Sequence, residues 1–187
     1  MLTGSTTRLR STACTVVPKR VVVSTSGISS SALLPLIRGE AIQTQRHDYR
    51  PYVGVTKLLE DDGRATVDSG ASMHGATFQP KEAGNLLRVR VHVNGYSEGD
   101  NRLVIGLFMD ADNKPRAIAS KPVAAKSTSV VDLDYEMLLT NLSPRAIQIR
   151  IGPARPGQIF INGDAKGPND RAPQAFIEFM ESRAAGD

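Results

Sequence analysis

Three histidines, one cysteine and a few carboxylate pairs are the residues of this 187-residue chain whose types could serve catalysis or metal binding. His47, His74 and His92 stand far apart, without the HxxxH, HExxH or CxxC spacing that turns two side chains onto one metal. No metal and no other cofactor is expected. His92 falls on the polar side of an alternating segment and reads as a solvated histidine. Cys14 has Arg10 nearby to lower its pKa, but no evident histidine to serve as its base. As the single cysteine it excludes an intrachain disulfide and leaves an intermolecular one open. Asp110-Ala111-Asp112-Asn113 sets oxygen ligands two apart, as a calcium loop does. It lacks the glycine and the closing bidentate glutamate of that loop, and reads as a hairpin turn. Glu98 and Asp100 lie in a polar loop; Asp164 and Asp170 could at most join a surface cation site. Asn141-Leu142-Ser143 fits a glycosylation sequon, a pattern common by chance. Gly152-Pro153-Ala154-Arg155-Pro156-Gly157 is a stiff turn with no phosphate-binding helix after it. No catalytic residues are assigned, and the chain is expected not to be an enzyme.

The elements that would position such residues are strands. Leu86 to Val93 and Ala146 to Ile151 alternate apolar and polar residues, so one face of each strand is buried and the other wet. Further strands are expected at Tyr52–Leu58, Arg64–Asp68, Ala76–Gln79, Arg102–Asp110, Arg116–Ser120, Val130–Leu139, Gln158–Asn162 and Ala175–Glu181. Asp61-Asp62-Gly63, Asp112 to Pro115 and Asn141 to Pro144 supply turns between them. Arg102–Asp110 is almost continuously apolar, which predicts cover on both faces. Val131, Leu133, Tyr135 and Met137 share one side of their strand, opposite Asp132, Asp134 and Glu136. No segment carries a helical period over ten residues. Regular short strands with Gly/Pro turns predict an all-β sandwich or jelly roll. With no Trp and 5% aromatics, its core must be built from aliphatic side chains.

The leading residues differ in kind. Residues 1–31 include thirteen Ser or Thr, a composition that cannot bury enough surface to fold alone. Residues 1–47 hold six basic side chains against one acid, although the whole chain carries only +4. The basic surplus therefore belongs to this end. Its arginines are scattered and without interleaved aromatics, so a protein surface is the expected partner rather than nucleic acid. Arg8, Arg10, the extended-favouring run Val21, Val22 and Val23, and the apolar anchor Leu33, Leu34, Leu36 and Ile37 are the candidate docking residues. The polar stretch 38–50 reads as a linker, dividing an extended arm (1–48) from the sandwich (49–187). No continuous apolar segment suits a signal peptide or a membrane span.

Four pieces of the body resemble, in order, trimeric jelly-roll domains of phage and prophage virion proteins. These are similar to the tumour-necrosis-factor and complement-globular-head fold. Pro80 to Val89 looks like that family's P-x-x-x-x-N-K-I-x-I/V strand entry, and Leu103 to Ala119 like its ALFVDSDxxALA hairpin. Gly157-Gln158-Ile159-Phe160-Ile161-Asn162-Gly163 looks like its GTVYLNG, and Ala175 to Glu181 like its closing SxLTIMEI strand. The likeness covers roughly residues 50–182; the charged loop Lys166–Pro173 departs from it. The resemblance implies a homotrimer around a threefold axis, with Tyr135, Phe160, Phe176, Phe179 and Met180 as candidate interface residues. It also implies a virion structural protein of a tailed phage (spike, collar or head fibre, or decoration protein), made in the host bacterial cytoplasm. On this reading the arm holds it to capsid, collar or tail proteins. The alternative is a glycan-binding module recognising a host surface, with Tyr96 as its main candidate residue.

Overall fold

The structure, a computed structural model, describes residues 40–169 and 174–184. Twelve strands run through them: β1 Ala41–Tyr49, β2 Val53–Val55, β3 Ala71–Phe78, β4 Leu86–Ser97, β5 Asn101–Met109, β6 Ala117–Val123, β7 Ser127–Leu138, β8 Arg145–Pro153, β9 Ile159–Ile161, β10 Gly163–Asp164, β11 Gly167–Pro168 and β12 Ala175–Ser182. Among the described residues there is no helix. One sheet has the order β3-β8-β5-β6. The other is built around β4, which pairs with β7 along its whole length. The second edge of β4 is shared: β12 takes Leu86–His92 and β9 takes Gly95–Ser97. Outside these, β1 pairs with β12 and β2 with β9. The steps β3 to β4, β4 to β5, β6 to β7, β7 to β8 and β8 to β9 each cross between the sheets, so the chain winds as a jelly-roll β-sandwich.

The alternation of β4 puts Leu87, Val89, Val91 and Val93 on the inner face, where all are buried. They meet Ile177 and Phe179 of β12, Val131 and Leu133 of β7, and the inner rows of β5 and β8 (Leu103, Ile105, Leu107; Ile147, Ile149, Ile151). The core is aliphatic, with Phe78 and Phe179 as its large members. The expected double cover of β5 is present. Residues 56–70 lie across the outer face of the β3-β8-β5-β6 sheet, where Leu59 and Ala65 bury Val104. Leu59 N–H donates to Pro153 O, tying this segment to the sheet, and Gly70 N–H donates to Leu58 O, closing the segment on itself. Gly152 has no side chain at the point where Lys57 and Leu59 cross; a Cβ there would strike their backbone.

Several expectations are corrected. The stretch 38–50 is not a linker throughout, because Ala41–Tyr49 forms an edge strand of the sheet. Three of its inward side chains, Gln43, Gln45 and His47, are polar and lie at the open margin of the sandwich, while Tyr49 packs against the core. Arg64–Asp68 is not a strand: Thr66 and Ser69 close a turn instead, and Ala65 serves as an anchor. β3 begins at Ala71 rather than Ala76, and β4 runs on through Gly95 and Tyr96 to Ser97.

The handover from β12 to β9 along β4 leaves a gap in the ladder at Asn94. Asn162 fills it in the left-handed region, with φ 58°, a conformation asparagine tolerates. Its N–H donates to Asn94 Oδ1 (2.8 Å), and its Nδ2 donates to the carbonyls of Tyr49 (2.7 Å) and Pro51 (3.1 Å). Its Oδ1 accepts from Ala175 N–H (3.1 Å) and Asn94 Nδ2 (3.3 Å). One side chain thus joins the β1–β2 junction, β4 and the start of β12. Buried groups left unpaired each cost about 1–3 kcal/mol. Asn162→Ala is therefore expected to lose about 2–4 kcal/mol in equilibrium urea unfolding. Asn162→Gly, which accepts the positive φ, should recover only part of that; full recovery would show that backbone conformation, not the side-chain bonds, matters here.

Candidate functional site

The register builds one continuous outer face on the sheet around β4. Across β1, β12, β4 and β7 its rows read Thr44–Met180–Arg88–Glu136, Arg46–Glu178–Arg90–Asp134 and Asp48–Phe176–His92–Asp132. Cationic groups on β4 are flanked by acids on β7, and by Glu178 on β12. Arg88 pairs with Asp134, Arg90 with Glu178 (3.3 Å) and His92 Nδ1 with Asp132 (2.7 Å). The Asp134 carboxylate, through its hydrogen bond, raises the Arg88 pKa. Phe176 is held between Arg46, whose guanidinium lies 4.0 Å from the ring centre, and the stacked His92 ring. Such partly exposed pairs contribute about 0–1 kcal/mol each. They order the face more than they stabilise it.

One end of this sheet is closed from the inner side by Glu181, a carboxylate with no exposure to solvent. It accepts from Asn85 Nδ2 (2.6 Å), Gln43 Nε2 (2.6 Å) and the backbone N–H groups of Lys81 (3.0 Å) and Glu82 (3.1 Å). Burial works to raise its pKa. The bonds from Asn85, Gln43, Lys81 and Glu82 outweigh burial and hold the pKa below the ordinary value. Arg183 N–H donates to Glu40 O at this same end, where the chain enters β1. Among the described residues the two most exposed large apolar side chains, Leu138 (51%) and Leu142 (52%), lie here too.

The opposite end carries aromatic rings. Phe160 of β9 stands opposite Gly54 of β2 and Tyr96 of β4. Its ring centre is 6.1 Å from that of Tyr52, with the planes within 6°, and 6.3 Å from that of Tyr96. Burial first, then the neighbouring Glu98 and Asp164, raise the Tyr96 hydroxyl pKa. Beside Phe160 a cleft of about 260 Å³ opens between residues 97–101 and 156–158.

On the open margin between the sheets, His47 of β1 and His74 of β3 meet with ring centres 4.7 Å apart, both near Phe179. His74 Nε2 is buried and bonds to no described residue. Burial, then the charge of His47, lowers the His74 pKa.

The docking candidates Arg8, Arg10, Val21, Val22, Val23, Leu33, Leu34, Leu36 and Ile37, with Cys14 and Asp170, lie outside the described residues. Of the interface candidates, Phe179 is wholly buried in the core, and Tyr135 points inward and packs against it. Neither joins the outer face, because both share the inward parity of their strands. Phe160, Phe176 and Met180 are half-buried on that face. His92 is not simply solvated; it is engaged by Asp132 and Phe176. Asp110 and Asp112 turn a hairpin, with Asp110 Oδ1 accepting from Ala146 N–H. Among the described residues no group of three His, Cys, Asp or Glu is placed to share a metal ion, and no helix is long and apolar enough to cross a membrane. Sequence reasoning passed over the Asn162 and Glu181 clasps, although both residues, with Asn85, stand in the motif segments quoted above.

No family model and no curated protein matches this chain. Among solved structures, a chain of the infectious bursal disease virus Gx strain is similar over 84% of this chain, at 10% identity and TM-score 0.40. The globular domain of zebrafish complement 1qA is similar over 74% of this chain and 99% of its own, at 15% identity and TM-score 0.32. The enzymatically active domain of tailspike protein 4 from bacteriophage CBA120 is similar over 64%, at 11% identity and TM-score 0.28. This chain spans 43% of the bursal disease virus chain and 18% of the tailspike chain. These scores are too low to transfer a function.

The titratable clasps set the pH response. A group whose folded pKa is lowered holds fewer protons folded than unfolded, so stability falls as pH drops below its unfolded value. For His74 that window opens near 6.5, and for Glu181 near 4.5. The urea midpoint is expected to decline from about pH 7.5 to 5.5, and again below the ordinary glutamate range. His74→Leu should flatten the first decline and leave the second. An unchanged first decline in that variant would show that another group causes it.

Proposed function

We propose that this chain is a non-enzymatic structural subunit of a tailed-phage virion: a trimeric spike, collar or head fibre, or decoration protein. Residues 1–39 hold it to the particle, and the sandwich is displayed. The support is of two kinds. The ordered motif resemblance over residues 50–182 points to virion jelly-roll domains. The polarity of the sandwich fits an anchored and displayed subunit.

That polarity is the observation on which the reading rests most. Residue 40 enters the sheet at the end closed by Glu181, and the exposed Leu138 and Leu142 lie beside it. The aromatic end is at the other extreme of β4, twelve residues long, or roughly 40 Å away. β1 is in register with β12 over almost its whole length. A pull on the leading segment therefore loads a ladder of backbone hydrogen bonds in parallel rather than peeling one at a time. Ordering a Ser/Thr-rich segment costs roughly 1–2 kcal/mol per residue, so an extensive partner surface has to offset it. The basic surplus of that segment favours an acidic one. A glycan-binding role for the body is compatible with this architecture, since anchoring engages one end and leaves the other free.

The test is a truncation that spares β1. Removal of residues 1–39 is expected to leave a folded trimer by light scattering that no longer joins the particle. Removal of 1–45 should also lower stability, because it cuts β1 in half. Normal incorporation of the 40–187 chain would refute the anchoring, and a monomer in the full-length protein would refute the trimer.

A further inference from the structure

The geometry points to a binding site for a neutral, pyranose-based oligosaccharide on the aromatic end of the outer face, formed by Tyr52, Phe160 and Tyr96 with Gln158 and Glu98. This rests on the body being the displayed part of the subunit, and names the ligand class of its free end.

The rings come from three places in the chain: Tyr96 and Phe160 meet through the β4–β9 register, and Tyr52 stands just before β2, which pairs with β9. Two glycines make room for them. A Cβ on Gly163 would lie 2.7 Å from the Tyr52 ring, so that ring rests on bare backbone. A Cβ on Gly54 would collide with the Gln158 amide and come within 3.3 Å of the Phe160 ring. Tyr52 is 37% exposed, and its hydroxyl is fixed by donation to Asp164 O (2.7 Å). The Tyr96 hydroxyl donates to Glu98 (2.9 Å). The three rings, Tyr52 parallel to Phe160 and Tyr96 tilted 49° to it, gather aromatic surface about 6 Å from ring to ring, on which the C–H face of a sugar can pack.

The polar groups decide which ligand fits. The cleft beside Phe160 has two ionisable residues in its lining, Glu98 and Asp100, both acidic. Carboxylates accept hydrogen bonds from sugar hydroxyls and repel phosphates, sialic acids and uronates. The Gln158 amide lies over Gly54 and can both donate and accept. Aromatic platforms with a few convergent amides and carboxylates match a polyhydroxylated neutral ring better than a lipid. A lipid would need a deeper apolar cavity.

The test uses the full-length chain and four probes in calorimetric titration: cellotetraose, chitotetraose (the N-acetylglucosamine tetramer), maltotetraose and, as the anionic probe, tetragalacturonate. At least one neutral probe should bind, with tetragalacturonate at least tenfold weaker. Tyr96→Ala and Gln158→Ala should each weaken binding about tenfold or more, while Tyr52→Phe, which keeps the ring, should reduce it less. Leu142→Ser, at the other end, should not change it. Absence of binding by all three neutral probes, preference for the anionic probe, or binding untouched by both Tyr96→Ala and Gln158→Ala would each overturn the site. Particle incorporation is read separately on the same variants. Failure of the unsubstituted chain to bind any neutral probe, with normal incorporation, refutes the site alone. Incorporation of the chain lacking residues 1–39 refutes the anchoring alone.

Discussion

β12 is held at both of its ends by buried polar side chains, and the rest of the outer sheet takes its place from that strand. At one end Glu181 sits without solvent and without a cationic side chain in its bonding shell, its charge met by two amide side chains and two backbone N–H groups. At the other, Asn162 receives Ala175 and reaches back to Tyr49 and Pro51. Buried groups of this kind are stabilising only while every partner is present, so each clasp is sensitive to the loss of a single bond. Their placement matters for geometry as much as for energy. Glu181 fixes β1 where the leading segment enters. Asn162 fixes the exit of β9, and so the position of Phe160.

The two faces of this sheet follow different rules. The inner face is a mostly aliphatic layer held by volume and packing. The outer face is ordered by charge and ring contacts, from the Arg88–Asp134 pair through the Phe176 sandwich to the Tyr52–Phe160–Tyr96 cluster. In the proposed function this ordering gives the molecule two working ends on one rigid plate, with docking at the leucines beside residue 40 and recognition at the rings. The core supplies the stiffness that keeps them apart.

Much of the sandwich was legible because half-buried strands must alternate. β4, β7, β8 and β12 announce themselves, and the continuous apolar run of β5 correctly implied a second cover. The cover itself was not legible. Leu59 and Ala65 look like ordinary loop residues until Gly152 is seen to leave space for them. β1 escaped notice because an edge strand at an open margin has no need of an apolar inner row; Gln43, Gln45 and His47 serve there instead. The candidate sites were less readable still. Tyr96 could be singled out in sequence, but Tyr52 and Phe160 are 44 and 64 residues from it in the chain, and only the folded sheet makes them neighbours. Parity along β7 and β12 would have been enough to place Tyr135 and Phe179 inside.

The central claim is that one end of the sandwich faces the particle and the other faces outward. Antibody access to a short epitope inserted at Gly99, compared with the same epitope at Leu142, measures this directly in assembled particles. Both positions are exposed in the isolated chain. The account predicts that the Gly99 epitope stays accessible after assembly while the Leu142 epitope is hidden. The reverse pattern, or equal access at both ends, would contradict it.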